Sequence, residues 1–253
     1  MMSNDEKKTD EAGARVPTGI SGLDDLTAGG FVEGSVNVVS GPAGSAKSLM
    51  SLQFVYNGAK DYGDTGVFIT LEERRENILK AMSIYGMEPE QLEAQGKFYL
   101  IDMGKMRRLF GAKERLEQGL VDFKTLQEFL TSFIKTTQPK RLAIDSLVAA
   151  GLCYKSMEEL REELFRFATF LQEQKITSIL LTESVSETGD KCRYGMEDFI
   201  GDSFINLGLE KVKGELRRTI TVRKMRFTKH DTSIHPFLIL SSGIEISVDE
   251  TVW

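Results

Sequence analysis

The stretch Gly41-Pro42-Ala43-Gly44-Ser45-Ala46-Lys47-Ser48 carries the residue types and spacing that most directly imply chemistry. A glycine-rich turn that opens into a helix offers backbone N–H groups and a positive helix end to an anionic phosphate. Lys47 is placed to reach the β- and γ-phosphates of a nucleotide, and Ser48 to hold Mg²⁺ through its hydroxyl. Leu49 begins the helical stretch that runs to Ala59 and closes the cradle. One position departs from GxxxxGK[ST]: Ala46 stands where that pattern has glycine. A helical φ there would make the methyl harmless, whereas a left-handed φ would strain it and weaken phosphate binding.

Such a loop needs a strand before it and neighbours that end beside it. Five short apolar runs read as strands buried on both faces: Val36 to Val39, Val67 to Ile69, Phe98 to Ile101, Leu142 to Ile144 and Ile179 to Leu181. Helical patterns lie between them. Leu160, Leu164, Phe167 and Leu171 share one face, started by a capping box of Ser156 and Glu159, and Phe123, Leu126, Leu130 and Phe133 mark another. The alternation predicts a doubly wound α/β sheet with helices on both faces. After Glu183 the pattern becomes paired strands, Phe204 to Val212 with Arg217 to Thr228 around Gly214, and Phe237 to Leu240 with Ile244 to Val248 around Gly243. These predict antiparallel hairpins that extend the sheet.

In open α/β sheets ligands sit beyond the carboxyl ends of the strands. There Asp145-Ser146 offers a carboxylate for Mg²⁺, or simply a helix N-cap. Glu72 and Glu73 oppose a bound phosphate's charge, which suits a catalytic role in orienting or deprotonating the attacking water. They also suit an acidic first helical turn. Thr182-Glu183 reads equally as a phosphate sensor or a solvated turn. Strand period puts Lys224, Arg226 and Thr228 on one face. Period alone leaves a phosphate clamp and a solvated, aggregation-resistant edge equally open.

The 253 residues suit a single domain over 15–253, with a polar segment 1–14 read as a disordered tail. That segment has no apolar stretch of the kind a signal peptide needs, and no run approaches the roughly 18 apolar residues of a membrane span. Two cysteines without CxxC spacing and two histidines argue against a zinc or histidine-rich site and fit a reducing cytoplasm. A net charge of -6 argues against a dedicated duplex binder. A local patch of Lys105, Arg107, Arg108, Lys113 and Arg115 lies in the glycine-bounded segment Gly104 to Gly119, which reads as an exposed loop or short helix.

Taken together, these residues resemble the KaiC family of ATPases within the RecA superfamily, from about Pro17 to about Ile246. The stretches that carry the resemblance are Gly19-Ile-Ser-Gly-Leu-Asp24, the phosphate loop, Phe68-Ile-Thr-Leu-Glu-Glu73, Ile144-Asp-Ser146, Arg193-Tyr-Gly195 and, most specific, Val222-Arg-Lys-Met-Arg-Phe-Thr-Lys-His230. The resemblance implies a hexameric ring with Mg-ATP between protomers. It implies that Lys47, Ser48 and Asp145 hold nucleotide and metal, that Glu72 and Glu73 are catalytic, and that Lys224, Arg226, Thr228 and His230 contact ATP from the adjacent subunit. Tyr85 falls near the adenine-contacting segment.

The chain carries one such ATPase domain, whereas the clock proteins carry two in tandem. Asp198-Phe199 stands where the family's second repeat has its phosphorylated Ser-Thr pair, which disfavours an autokinase and leaves Ser186 and Ser203 as nearby hydroxyls. Three functions follow as expectations. The first is a slow, ring-forming ATPase acting as a nucleotide-dependent switch with an unidentified protein partner. The second is an ATP-binding scaffold that hydrolyses little. The third is a RecA-like DNA repair factor.

Overall fold

A computed structural model describes residues 13–105, 121–188, 193–195, 197–212 and 214–252. Residues 1–12 of the expected tail, most of the basic segment (Arg107, Arg108, Lys113 and Arg115 included) and Cys192 lie outside the described residues.

The five apolar runs form β3 (Val36–Gly41), β4 (Gly66–Thr70), β5 (Phe98–Asp102), β6 (Arg141–Asp145) and β7 (Thr177–Glu183). Flanking them are β1 (Arg15–Val16), β2 (Phe31–Val32), β8 (Ser203–Val212), β9 (Glu215–Met225), β10 (His235–Leu240) and β11 (Gly243–Ile246). Among the described residues the main sheet has nine strands in the order β11-β10-β9-β8-β3-β7-β6-β4-β5. The pairs from β5 through to β8 are parallel, and β9, β10 and β11 add on antiparallel. Parallel strands need crossovers on the sheet faces. One face is covered by α2 (Lys47–Asp61) and α3 (Arg75–Ile84), whose Met50, Phe54 and Met82 pack with Phe68 and Phe98. The other is covered by α5 (Phe123–Thr137) and α7 (Met157–Glu173), whose Leu126, Leu130, Leu164 and Phe167 pack with Val67, Leu142 and Leu180. Three short helices complete the described set before α8: α1 (Leu23–Leu26), α4 (Glu90–Ala94) and α6 (Leu147–Gly151). The last, α8 (Glu197–Ile200), precedes β8. No helix of the described residues is long and apolar enough to cross a membrane.

Local rules from the sequence hold with three changes. Ser156 Oγ accepts from Glu159 N at 3.1 Å and starts α7, but Glu159 Oε2 accepts from Lys155 N at 3.4 Å, not from Ser156. The second difference bears on function. β9 ends at Met225, so Lys224, Arg226 and Thr228 do not share one strand face. Phe227 takes φ 58, which ends the extended chain. The ladder also shifts register between Phe204 and Ile205, leaving an extra residue in β9. In the last hairpin Leu240 pairs with Gly243, so Ser241-Ser242 makes the turn and Gly243 opens the strand.

At the end of the sheet away from the phosphate loop, Arg141 is wholly buried. Its Nε donates to Asp64 Oδ2 at 2.8 Å, and Nη1 donates to the carbonyls of Pro17 at 2.8 Å and Phe54 at 3.2 Å. The guanidinium lies over the rings of Phe54 and Tyr62, and the missing side chain of Gly58 leaves room for it. Removing one partner of a buried pair leaves an uncompensated charge. Asp64→Ala is therefore expected to lower the unfolding free energy by about 3 kcal/mol in a urea titration. A loss well below ~1 kcal/mol would mean that the carbonyls and rings suffice.

Candidate functional site

β3 delivers the chain at Gly41, and two glycine positions make the loop that follows. A Cβ on Gly41 would stand 2.4 Å from Ser45 Oγ, and Gly44 takes φ 81. Ser45 Oγ donates to Pro42 O at 2.8 Å and tightens the turn. α2 then begins at Lys47 with no side-chain cap on its first N–H groups, as an anion site requires. Ala46 is the N-cap and sits at φ 72, ψ 23. This is the left-handed conformation that the sequence left open, and it costs a non-glycine residue ~1–2 kcal/mol.

Lys47 Nζ folds over the loop and donates to Gly41 O at 2.8 Å and Pro42 O at 2.9 Å. Burial lowers its pKa, opposed by Asp145, Glu183 and Glu72. Ser48 Oγ donates to Asp145 Oδ2 at 2.6 Å. Burial pushes the Asp145 carboxyl above the ordinary range; Ser48 and Lys47 oppose that rise, and Glu72 and Glu73 add to it. A hydroxyl and a carboxylate this close form a hard oxygen set of the kind Mg²⁺ takes, with water and phosphate oxygens to complete it.

The ends of β4 and β6 are tied by Leu71 N to Asp145 O at 2.8 Å. Ser146 Oγ, beyond β6, donates to Glu72 Oε1 at 2.9 Å. Thr70 Oγ1 accepts from Glu73 N at 2.9 Å and donates to Glu73 O at 3.0 Å, fixing the turn that carries both carboxylates. At the end of β7, Glu183 is engaged by Arg193 Nη1 at 3.0 Å, so the polar pair there is partly committed to that ion pair.

Two features escaped the sequence reading. A cavity of about 210 Å³ opens beside Ser48, Glu73 and Asp145, with Leu49, Leu52, Phe68, Ile78, Ala81 and Tyr85 as its wall. The helical spacing of Leu49 with Leu52 and of Ile78 with Ala81 and Tyr85 is the signal, but it reads equally as core. The second is Arg218, whose Nε donates to Gly44 O at 3.1 Å and steadies the loop from β9.

The structure brings together Gly41, Ala43 to Leu49, Glu72, Glu73 and Asp145. It does not bring Lys224, Arg226, Thr228 and His230 to them. Arg226 N donates to Asp202 O at 2.9 Å, and Asp202 N donates to Val36 O at 2.7 Å. Arg226 is thus level with the first residue of β3, whereas the phosphate loop leaves from its last, about 17 Å further along. At that far end Lys224 Nζ donates to Gly201 O at 2.8 Å and Arg226 Nη1 lies 3.5 Å from Asp202 Oδ1. Thr228 Oγ1 donates to Arg226 O at 3.2 Å, and His230 Nδ1 meets Thr228 O at 3.1 Å. Nε2 of His230 is buried without a hydrogen-bond partner among the described residues. Phe199 is exposed, and Ser203, one of the two alternative hydroxyls, is buried with its Oγ donating to Asn37 Oδ1 at 2.6 Å.

The pKa of Asp145 carries a sign that can be checked. A raised carboxyl pKa favours the folded state below the ordinary value, and that benefit is lost as pH rises through the raised one. Asp145→Asn is therefore expected to melt above the wild type at pH 7–8 without nucleotide or Mg²⁺, with the gap closing below about pH 4. A variant that melts lower at pH 7–8 would show that the carboxylate is net stabilising.

The geometry has close parallels. The family model "ATPase: KaiC" matches residues 16–251. The chain is 33% identical over 233 residues to the circadian clock oscillator protein KaiC of Nostoc sp. and 32% identical over 247 residues to that of Synechococcus elongatus. These alignments take in 92% and 97% of this chain but 44% and 46% of the relatives, so the chain spans less than half their length. A solved KaiC-like protein of the archaeon Pyrococcus horikoshii superposes with a TM-score of 0.80 at 34% identity, covering 92% of this chain and 99% of that one. With the match spanning the sheet, the phosphate loop and both hairpins, this chain belongs to the KaiC family of ATPases.

Proposed function

We propose that this chain is a slow Mg-ATPase whose site is completed between copies in a ring, and that nucleotide state switches the ring's contacts with a protein partner. The observation that carries the reading is the polarity of β9. Its start lies at this chain's own phosphate loop, where Arg218 meets Gly44, and its end carries Lys224 and Arg226 to the far end of the sheet. Cations placed there cannot serve their own chain's phosphates. They suit those of a neighbour packed head to tail, a heterologous contact that closes into a ring when its rotation closes.

In this reading the N–H groups from Ala43 to Leu49 cradle the phosphates, and Lys47 leaves the Gly41 and Pro42 carbonyls to meet them. Ser48 and Asp145 hold Mg²⁺, which, when bound, neutralises phosphate charge. The apolar cavity walled by Leu52, Phe68, Ile78 and Tyr85 receives the flat face of the base. Glu72, oriented by Ser146, and Glu73, facing the cavity beside Ser48, orient and deprotonate the attacking water. Lys224, Arg226, Thr228 and His230 of the next copy stabilise the charge that develops on transfer.

Two observations point to slow turnover. Ala46 holds a strained conformation where the backbone must approach phosphate, and Lys47 has to exchange two carbonyl bonds for its ligand. The same strain favours the second reading, an ATP-binding scaffold that hydrolyses little.

Phosphate release from Mg-ATP separates the two. The Glu72→Gln, Glu73→Gln double variant is expected to lose at least ~10²-fold in turnover while still binding ATP. Equal turnover in wild type and double variant, with ATP bound by both, would leave the scaffold reading. Ala46→Gly relieves the left-handed strain and is expected to tighten ATP binding and raise turnover; weaker binding by that variant would show that Ala46 is not the brake.

A further inference from the structure

Residues 226–231 follow β9 and carry three of the four proposed interface residues, and their shape has a visible cause. Phe227 holds φ 58, while its ring is 75% exposed. The left-handed conformation is disfavoured for a bulky residue, and packing of an exposed side chain offsets little of that cost. The restraint comes from Arg15. Its Nη1 donates to Thr228 Oγ1 at 2.8 Å, and its Nη2 donates to Phe227 O at 3.3 Å. Nη1 also lies 3.4 Å from Gly30 O. The planar fork therefore grips the carbonyl of the Phe227–Thr228 peptide and the side chain that follows it, a two-point hold that suits a guanidinium.

Arg15 is itself held. It pairs with Val32 across the β1–β2 ladder, and the next pair joins Val16 to the wholly buried Phe31. Burial lowers the guanidinium's pKa, yet an arginine keeps its charge. The rest of the loop is anchored independently. Arg226 N is bonded to Asp202 O at 2.9 Å and Asp231 N to Leu26 O at 3.0 Å. Buried His235 bridges Asp231 Oδ2 at 3.2 Å and Glu250 O at 2.8 Å. Loss of the Arg15 grip thus leaves the Phe227–Thr228 peptide to bonds within the loop, Thr228 Oγ1 to Arg226 O and His230 Nδ1 to Thr228 O, while the two ends of the loop stay fixed.

We propose that Arg15 is a positioning residue for the interface half of the ATP site: it fixes the Phe227–Thr228 peptide so that Arg226, Thr228 and His230 are presented together to the neighbour's phosphates. The inference rests on the ring reading above and adds the element that sets its geometry. Arg15 does not touch the nucleotide. Its removal acts through the loop and bears on the rate of transfer, not on ATP binding by the other copy's phosphate loop.

The test measures phosphate release against ATP concentration for wild type, Arg15→Ala, Arg15→Lys, Thr228→Ala, Arg226→Ala and the Arg15→Ala, Thr228→Ala double variant, with ring size and melting temperature recorded for each. Arg15→Ala is expected to lower kcat about tenfold or more, since misplacements near 1 Å can cost ~10²-fold, with KM within about twofold. Arg15→Lys is expected to recover part of kcat, because an ammonium can keep one of the two bonds. The double variant is expected to lose clearly less than the product of the two single losses, because Arg15 acts in part through Thr228. Wild-type kcat in Arg15→Ala, multiplying losses in the double variant, or a loss that follows ring dissociation or a lowered melting temperature would each overturn the positioning role. Arg226→Ala at wild-type turnover would instead sink the interface reading, and the role of Arg15 with it. Impaired Arg226→Ala beside unimpaired Arg15→Ala would overturn the Arg15 role alone.

Discussion

One strand sets the constraint from which the rest follows. β8 runs parallel to β3, so β9, paired antiparallel to β8, must travel back along the sheet. It starts near the phosphate loop, where Arg218 bonds Gly44, and finishes level with the first residues of β3, across β8. Residues 226–230, which follow β9 directly, are therefore delivered to the end of the sheet that lacks the nucleotide loop. In the proposed ring, a single copy would contribute two half-sites facing opposite ways. The sheet core on both sides, from Phe54 and Phe68 to Leu164 and Phe167, makes that separation rigid.

Within the loop half, charge and strain oppose one another. Asp145 is driven toward its neutral form by burial and by the nearby carboxylates Glu72 and Glu73, and Ser48 and Lys47 hold it against that tendency. Lys47 is driven the other way by its own burial. A cation arriving between Ser48 and Asp145, and a polyanion arriving on Lys47, would each relieve part of this tension, so nucleotide and metal are expected to bind cooperatively. Ala46 works against them, since its φ of 72 is a standing strain that glycine would lack.

Much of this was legible in the sequence, for identifiable reasons. The parallel strands are buried on both faces, so their runs are continuously apolar and unambiguous, and Ser156 announced a helix that begins at Met157. The meeting of Lys47 and Ser48 with Asp145 was legible because the loop after β3 and the end of β6 fall at the same end of a parallel sheet. The face shared by Lys224, Arg226 and Thr228 was misread because period-2 reasoning cannot see that β9 ends at Met225 or that Phe227 is left-handed. Arg15 and Arg218 were missed because their partners, Thr228 and Gly44, lie far away in sequence, and a lone arginine carries no periodic signal. The cavity wall was missed because Leu52, Ile78 and Ala81 look like any core-facing helical residues.

Mixing subunits shows whether one site is built from two copies. Lys47→Ala chains lack the loop half and keep the far half; Arg226→Ala chains do the reverse. Each alone should release little phosphate from Mg-ATP. Mixed under conditions where subunits exchange, confirmed by energy transfer between labelled chains, they should form interfaces with both halves intact and regain turnover. Exchange without any recovery at every mixing ratio would contradict the account, and would mean that residues 224–230 serve the fold and not a neighbour's nucleotide.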